Sequence, residues 1–578
     1  MLVPKLVTTL RTYDRRQFSA DLIAGVIVGI VALPLTIAFA VASGVTPDRG
    51  FATAIVAGFL ISALGGSRVQ IGGPTGAFVV IVYGIVQQHG VDGLLVATLM
   101  AGVMLIGLGL SGLGSAIKFI PHPVVIGFTS GIAVIIFSSQ VKDLLGLRMG
   151  EVPAEFFAKW QAFAANATSL DPAAAGVAAL ALAIILLWPH VTLRVRVPGP
   201  FVALIVTSVL VAVTGLEIET IGTRFGAISA SLPAPSLPHV DWAVARVLVG
   251  PAVTLALLAA IESLLSAVVA DGMIGGRHRS NMELVAQGVA NIASPLFGGI
   301  PATGAIARTA TNVKNGGRTP VAGIVHSLTL LLIMLFFGRW AAYIPFATLA
   351  AILIVVAYHM SEWRAFKAEF SAPKSDAVVM VVTFGLTVLV DLTVAIQVGM
   401  VLAAFLFMRR MAEVTNVQMI TREFKDDGEG YENDANATQR RDIPDKVVVF
   451  EINGPFFFGA VSTFREQVES MLGHPKVLIL RLSNVPAIDS TALHALRQVV
   501  RSARKHGTLV LLADVHAQPM VALVRSDVIG EIGQDVLFAN LDDALNRARE
   551  HLGLPTVVVS AWAAPTVARE MRGGAPEG

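Results

Sequence analysis

Long apolar runs recur along the chain, among them Leu22 to Val41, Val124 to Val141, Ala174 to Trp188 and Leu248 to Val269. Each is about 15 to 25 residues long, and a helix rising about 1.5 Å per residue needs about 20 to cross a bilayer's hydrocarbon layer. Soluble domains have no interior large enough for so much apolar surface. Here 54% of 578 residues are hydrophobic and only 14% are charged, so the chain is expected to be a polytopic α-helical membrane protein with the lipid bilayer as its solvent. Lys5, Arg11, Arg15 and Arg16 precede the first run and no small-residue cleavage site follows it, so the first span is expected to insert and stay.

A net charge of +2 gives no reason to expect a nucleic-acid partner. The basic residues read better as topology signals. They fall in alternate loops, at Arg68, Lys118, Arg194 and Arg196, Arg277 and Arg279, Lys314 and Arg318, then Arg364, Lys367 and Lys374. That pattern predicts an inner (plasma) membrane protein with both termini in the cytoplasm. Without cysteine the chain has neither disulfides nor thiolate metal sites. No zinc-ligand spacing, phosphate-cradling glycine loop or nucleophile motif is present, and His122 between Pro121 and Pro123 reads as a loop residue. No enzyme activity, cofactor or metal is therefore expected.

Residues 1–19 read as a cytosolic N-terminal segment and 20–410 as the transmembrane domain. From Asp376 to Met408 the chain is almost continuously apolar, longer than one span and short for two. Two short helices turning at Asp391 are expected rather than one helix carrying a charge through lipid. Arg409 and Arg410 close the last run, and 411–445 reads as a polar, acidic linker. In 446–556, Val447 to Ile452, Val477 to Leu482 and Leu509 to Ala513 read as strands. Phe464 to Leu472, Ser490 to Lys505 and Leu541 to Leu552 read as helices of a small α/β domain. Residues 557–578 read as a disordered tail.

Two segments about 230 residues apart share an unusual string, Gly72-Gly73-Pro74-Thr75-Gly76-Ala77 and Gly298-Gly299-Ile300-Pro301-Ala302-Thr303-Gly304-Ala305. Duplicated Gly/Pro-interrupted segments in two halves mark an inverted-repeat transporter whose broken helices meet near the bilayer midplane. Proline ends the extended stretch, and glycine and threonine leave room for a ligand close to the backbone. Two half-helices with facing N-termini offer partial positive charge and convergent N–H donors, which suits an oxyanion.

Arg308 lies one turn into the second half-helix and would add a full positive charge for an anion. Glu262, inside the run Leu255 to Val269, could pair structurally with Arg308 or carry a proton or cation with the substrate. Ser266, one turn later on the same face, could orient whatever Glu262 binds. Glu283 has capping-box spacing after Ser280, and Asp21 at the start of the first span also reads as a helix cap.

These residues resemble the SulP family of sulfate permeases and related anion transporters. The likeness is carried by Asp21-Leu22-Ile23-Ala24-Gly25 with Pro34, by residues 72 to 77, by Asn281 to Thr309, and by Gly317-Arg318-Thr319-Pro320. The C-terminal domain resembles a STAS domain through Asn453-Gly454-Pro455 and Asp489-Ser490-Thr491. The resemblance implies about fourteen spans as two inverted repeats of seven, a core domain moving against a gate domain, and a homodimer. It implies a substrate between the third and tenth spans, near Thr75, Gly76, Ala305, Ile306, Ala307 and Arg308, with Leu35 and Phe39 of the first span alongside. Some relatives carry polar residues where Leu35 and Ala307 stand. Sodium-coupled bicarbonate carriers place an aspartate where Glu262 lies, whereas glutamate resembles proton-coupled relatives. The leading expectation is thus proton-coupled sulfate uptake by an elevator-like mechanism, followed by sodium-coupled bicarbonate and C4-dicarboxylate transport. An anion channel or sensor with STAS output is the alternative class. Thr491 matches the position phosphorylated in anti-sigma-factor antagonists, while Asp489 and Ser490 would equally serve as helix caps.

Overall fold

The structure is a computed structural model. It describes residues 2–115, 120–150, 152–153, 155–191, 197–226, 231–238, 242–390, 392–420, 438, 441–470 and 475–557. Lys118, Arg194, Arg196, Asp391, most of the expected linker and nearly all of the expected tail lie outside the described residues. The chain divides into two compact units, Met1–Ala403 and Ala404–Gly578.

Nine helices among the described residues are long and apolar enough to cross a membrane. One of them, Gly76–Leu110, is two helices, because Gly90 adopts φ 67° and ψ −175° and breaks the ladder between 76–89 and 91–110. Splitting it, and adding the shorter or more polar helices Gly199–Thr214, Ser280–Leu296, Ile306–Lys314 and Lys374–Leu389, gives fourteen helical segments. In chain order they are α1 (Arg15–Ala42), α2 (Pro47–Leu64), α3 (76–89), α4 (91–110), α5 (His122–Leu145), α6 (Pro172–Leu187) and α7 (Gly199–Thr214). The second set is α8 (Val249–Ile274), α9 (Ser280–Leu296), α10 (Ile306–Lys314), α11 (Pro320–Phe337), α12 (Phe346–Met360), α13 (Lys374–Leu389) and α14 (Leu392–Val414). The break between α13 and α14 brackets position 391.

Two strands, β1 (Gly72–Gly73) and β2 (Thr303–Gly304), pair antiparallel. Each precedes the third helix of its set of seven, α3 or α10, so corresponding elements of the two sets run in opposite senses. The Gly-Pro strings locate these units, but their letters do not align as the sequence suggests. Gly298 and Gly299 lie ahead of β2, and Gly72-Gly73 pairs instead with Gly304 and Thr303.

Helices α1–α4 pack with α8–α11, and α5–α7 pack with α12 and α13; α1 touches both groups, reaching α7 and α12. Small residues let the backbones of the first group close up. A Cβ on Gly102 of α4 would lie 2.7 Å from the Gly288 carbonyl of α9, and one on Gly288 would lie 2.6 Å from the Gly102 carbonyl. Gly25 of α1 likewise lies against the Ala322 carbonyl and Val325 of α11.

Asp21 and Glu283 are not caps of their own helices. Asp14 caps α1 by accepting from the Gln17 N–H, and Asp21 is buried within it. Asp21 accepts from the N–H groups of Arg318 (2.8 Å) and Thr319 (3.2 Å), the Thr319 hydroxyl and the Tyr13 hydroxyl (3.1 Å), so it fixes the start of α11. Arg279, not Ser280, precedes α9. Glu283 is fully buried and accepts from the N–H groups of Gly66 (2.8 Å) and Ser67 (3.1 Å) and from Gln287 Nε2 (2.9 Å). It closes the turn before β1.

In the second unit a five-stranded sheet runs in the order β3 (Asn416–Ile420), β4 (Val447–Asn453), β5 (Val477–Asn484), β6 (Leu509–Ala513), β7 (Leu537–Phe538). β3 is antiparallel to β4 and the remaining pairs are parallel. A strand thus occupies part of the stretch that the sequence suggests is linker. β4 and β5 are buried at six successive positions each, as strands covered on both faces must be. The helices are α15 (Phe458–Glu469), α16 (Ser490–Lys505), α17 (Ala517–Arg525), α18 (Val528–Ile532) and α19 (Leu541–His551). α15 begins six residues ahead of the expected Phe464 because the Asp489 carboxylate accepts the Phe458 N–H at 3.1 Å, a partner supplied from a distant loop.

Candidate functional site: two half-helices meeting at a strand pair

A ladder of two residues a side leaves most of its flanking backbone groups unpaired, and side chains of neighbouring helices take them up. Asn291 of α9 donates to the Ala302 carbonyl (2.8 Å) and accepts its N–H (2.9 Å). Thr309 Oγ1 of α10 accepts the Ile71 N–H (3.1 Å), Asn312 Nδ2 donates to the Val69 carbonyl (2.8 Å), and Thr303 Oγ1 donates to the Ala259 carbonyl of α8 (3.0 Å). Irregular backbone is therefore held among the helices by a lining of polar side chains.

Because β1 and β2 run antiparallel, α3 and α10 leave the ladder in opposite directions, with their N-termini at it. Neither N-cap residue, Thr75 or Ala305, caps its helix with its side chain, so no side chain at those positions satisfies the first-turn N–H groups. Thr75 Oγ1 is buried without a hydrogen-bond partner.

Arg308 reaches from α10 across to the opposite half. It is 2% exposed, and its Nη2 donates to the Pro74 carbonyl at the end of β1. Its Nη1 is buried without a partner, and no carboxylate forms an ion pair with it among the described residues. Gly73 makes the space: its φ is 148°, and a Cβ there would stand 2.5 Å from Arg308 Nη1.

Gly76 opens the other side. A Cβ on it would meet Met360 Sδ at 2.8 Å, Phe39 Cε1 at 3.3 Å and Ile136 Cδ1 at 3.6 Å. It therefore lies where α1, α5 and α12 converge, at the boundary between the two helix groups. Phe39 is buried there, and Leu35, one turn earlier, is half-buried and packs against residues of α6, α7 and α12. Ala305 is buried, Ile306 half-buried, and Ala307 is exposed on the first turn of α10.

Glu262 is half-buried on α8 and forms no ion pair with Arg308. The Ser266 hydroxyl shares a hydrogen bond of 3.2 Å with Thr309 Oγ1, tying α8 to α10. Asn291, Thr309 and Gly73 are the residues whose roles the sequence does not announce. Polar side chains within otherwise apolar spans are their signal, and Asn291 and Thr309 carry it.

In the second unit, Asp489 precedes α16 and accepts the Ala492 N–H at 2.8 Å, while Ser490 and Thr491 are exposed on its first turn. A modified hydroxyl there would face solvent.

The profile of the sulfate permease family matches residues 18–383, and that of the STAS domain matches 435–544. The chain is 40% identical over 533 residues to the "Putative sulfate transporter YvdB" of Bacillus subtilis (strain 168), covering 92% of this chain and 98% of that one. The transmembrane domain of a cyanobacterium bicarbonate transporter, BicA, is 31% identical, covering 68% of this chain and all of that one, with a TM-score of 0.61. The murine anion transporter Slc26a9 in its inward-facing state shares the fold at 18% identity, with a TM-score of 0.83 over 95% of this chain and 94% of that one. A strand-paired crossing of two half-helices, in a chain matched almost end to end by such relatives, leads to one conclusion: this protein belongs to the sulfate permease family of transporters and carries a C-terminal STAS domain.

Proposed function

We propose that the protein is a secondary active transporter that takes up sulfate with protons, with the group α1–α4 and α8–α11 moving as a body against α5–α7, α12 and α13. The observation that carries this reading is the unpartnered Nη1 of buried Arg308, a residue that bonds the Pro74 carbonyl one position before Thr75 with its own unpartnered hydroxyl, at the junction of two helix N-termini. A buried cation with an open donor is unfavourable by several kcal/mol unless a counter-charge completes it. An oxyanion supplies both charge and acceptors. Gly76, Ala305, Ile306 and Ala307 line the approach, with Leu35 and Phe39 facing it from α1. Glu262, on a helix that packs against α10, is the candidate proton carrier, and Ser266 supports the site through Thr309.

Fourteen crossings return the chain to the side it left, and the basic loops name that side as the cytoplasm. Both termini would then be cytoplasmic in the plasma membrane, with the STAS unit acting there as a regulatory domain around Asp489, Ser490 and Thr491. The functional unit would be a homodimer, which mass measurement of the purified protein tests.

The decisive experiment is uptake of radiolabelled sulfate into proteoliposomes under an inward proton gradient, an inward sodium gradient or neither. Stimulation by protons alone, with trans-stimulation by internal unlabelled sulfate, supports the reading. Uptake without trans-stimulation would make the protein a channel. The likeness to the bicarbonate transporter domain favours one second reading, sodium-coupled bicarbonate uptake. Sodium-driven uptake, with bicarbonate displacing sulfate better than succinate or sulfate itself, would establish it.

A further inference from the structure

Residues 404–414 of α14 fold with the second unit and pack on the start of α15. A Cβ on Gly459 would collide with the Ala412 Cβ, so the two helices touch with no side chain between them. Thr415, just past α14, donates to the Pro455 carbonyl (2.8 Å) and fastens the loop ahead of α15 to the same place. Beside this junction is a notch of about 80 Å³, with Met408 and Met411 on one side and Pro455, Phe457 and Phe458 on the other. Every side chain that lines it is apolar.

The notch lies at the level of lipid headgroups. α14 is long and apolar enough to span a membrane, and its apolar run ends at Arg409 and Arg410, both exposed. Just before them Phe405 and Phe407 are 62% and 61% exposed, as lipid-facing side chains of a span are. Arginines closing a span mark where hydrocarbon gives way to headgroups. Ala412 follows Arg409 by about 4.5 Å along the axis, at about 1.5 Å per residue. A bilayer about 40–45 Å thick with a hydrocarbon core of about 30 Å has a headgroup layer of about 5–8 Å on each side. Ala412 is therefore still inside that layer when α14 stands upright, and nearer the tails when it tilts. Gly459 packs on Ala412, which holds the start of α15 at the same depth.

Of the run Phe456-Phe457-Phe458, Phe456 enters the core and stacks edge-on against Phe464, Phe457 is half-buried, and Phe458 is 53% exposed. A lone exposed phenylalanine needs no explanation. Phe458 is not alone, since it faces Met408, itself exposed, across the notch. Water in the notch would find no polar side chain to bond, whereas an acyl chain needs none. A polar anchor stands beside it: among the described residues Arg409 is engaged only through Nε, by Glu413 at 2.8 Å. Its terminal nitrogens can reach a phosphate.

We propose that the notch is a phospholipid site in the leaflet where α14 ends, with an acyl chain between Phe458 and Met408 and the phosphate against Arg409. At about 30 Å³ for each water-sized group, the notch admits two or three such groups, which suits the upper methylenes of one chain. A second copy of this chain is a poorer occupant, because a stable protein interface buries about 800 Å² per partner. The STAS unit is then held to the bilayer by its own surface as well as by its tether, and lipid composition acts on it directly. This site is independent of Arg308 and of the transported anion.

The chain has no cysteine, so a single introduced one carries a nitroxide label without background. The full chain with Phe458→Cys is labelled and reconstituted into bilayers of phosphatidylethanolamine and phosphatidylglycerol. Collisions of the label with oxygen, which concentrates in lipid, are compared with those of a water-soluble nickel chelate. Val521→Cys on α17, 50% exposed, is the water reference, and Phe405→Cys on α14 the lipid reference. The oxygen-to-nickel ratio at 458 should stand severalfold above that at 521 and approach that at 405. Phe457→Cys serves if Phe458→Cys does not fold. A ratio at 458 equal to that at 521 overturns the proposal. So does dipolar broadening at 458 that vanishes on dilution with unlabelled protein, which would put a second copy in the notch.

Discussion

Replacing Gly73 with alanine tests the anion site without touching a charge. The added Cβ would stand 2.5 Å from Arg308 Nη1, where comfortable contact needs about 3.5 Å, so the guanidinium must retreat by about 1 Å. Its bond from Nη2 to the Pro74 carbonyl is then bent or broken. Hydrogen bonds to charged groups are worth about 1.5 to 3 kcal/mol, so anion affinity should fall about ten- to a hundredfold. The φ of 148° adds a second, separate effect. A side chain there strains the backbone by about 1 to 3 kcal/mol, which lowers thermal stability and not affinity. Arg308→Ala should lose a similar affinity without the strain, and Arg308→Lys should fall between it and wild type because it keeps the charge but not the planar fork. Binding of radiolabelled sulfate to purified, monodisperse protein measures all three. The double variant Gly73→Ala with Arg308→Ala should bind no worse than Arg308→Ala alone, since both act through one group. Wild-type affinity in Gly73→Ala, or effects that add in the double variant, would refute the argument.

Glu262→Gln keeps size and hydrogen bonding but removes the titratable charge; sulfate exchange should survive while accumulation driven by a proton gradient is lost, as proteoliposome uptake with and without the gradient would show. Asp21→Asn removes the acceptor that fixes the start of α11 and should lower stability by about 2 to 3 kcal/mol in thermal unfolding. Burial and the charge of Asp21 push the Tyr13 phenol up to about 12, so ultraviolet titration of Asp21→Asn should find one tyrosine ionising at lower pH than in wild type. In the segment after α7, the hydrogen bond from Arg224 (2.6 Å) holds the Glu219 carboxyl below the usual carboxylate range. That stability is present above about pH 4 and is lost as pH falls below it; Arg224→Gln should flatten this part of the melting-temperature profile.

The membrane spans are legible in the sequence because lipid imposes a length and an apolar composition that no soluble core demands. The register of the site is not. The Gly-Pro string marks both broken helices, yet it matches Gly72-Gly73 to Gly298-Gly299, while the chain pairs Gly72-Gly73 with Thr303-Gly304. A two-residue ladder asks only for small residues, and the second copy meets that with a threonine whose hydroxyl bonds α8. Glu283 shows the same limit: its spacing fits a local cap, but its carboxylate closes a turn 217 residues earlier in the chain. In the second unit β4, β5 and β6 are read closely because they are unbroken apolar runs, whereas β3 and β7 are not foreseen and the start of α15 depends on a carboxylate from another loop.

Two helix N-termini and the open Nη1 of Arg308 meet at the strand pair, and among the described residues no carboxylate is bonded to the guanidinium. On the proposed reading, three positive poles meet there, and they repel one another unless an anion joins them. An anion bound as proposed would behave as the keystone of an arch, relieving thrust from both sides at once. Folding and cargo would then be linked by mass action: at a hundred times its dissociation constant the anion would add about 2.7 kcal/mol to stability. The choice of salt during purification therefore becomes a structural variable, and a ladder of melting temperatures across different sodium salts would rank the anions the site accepts before any transport is measured.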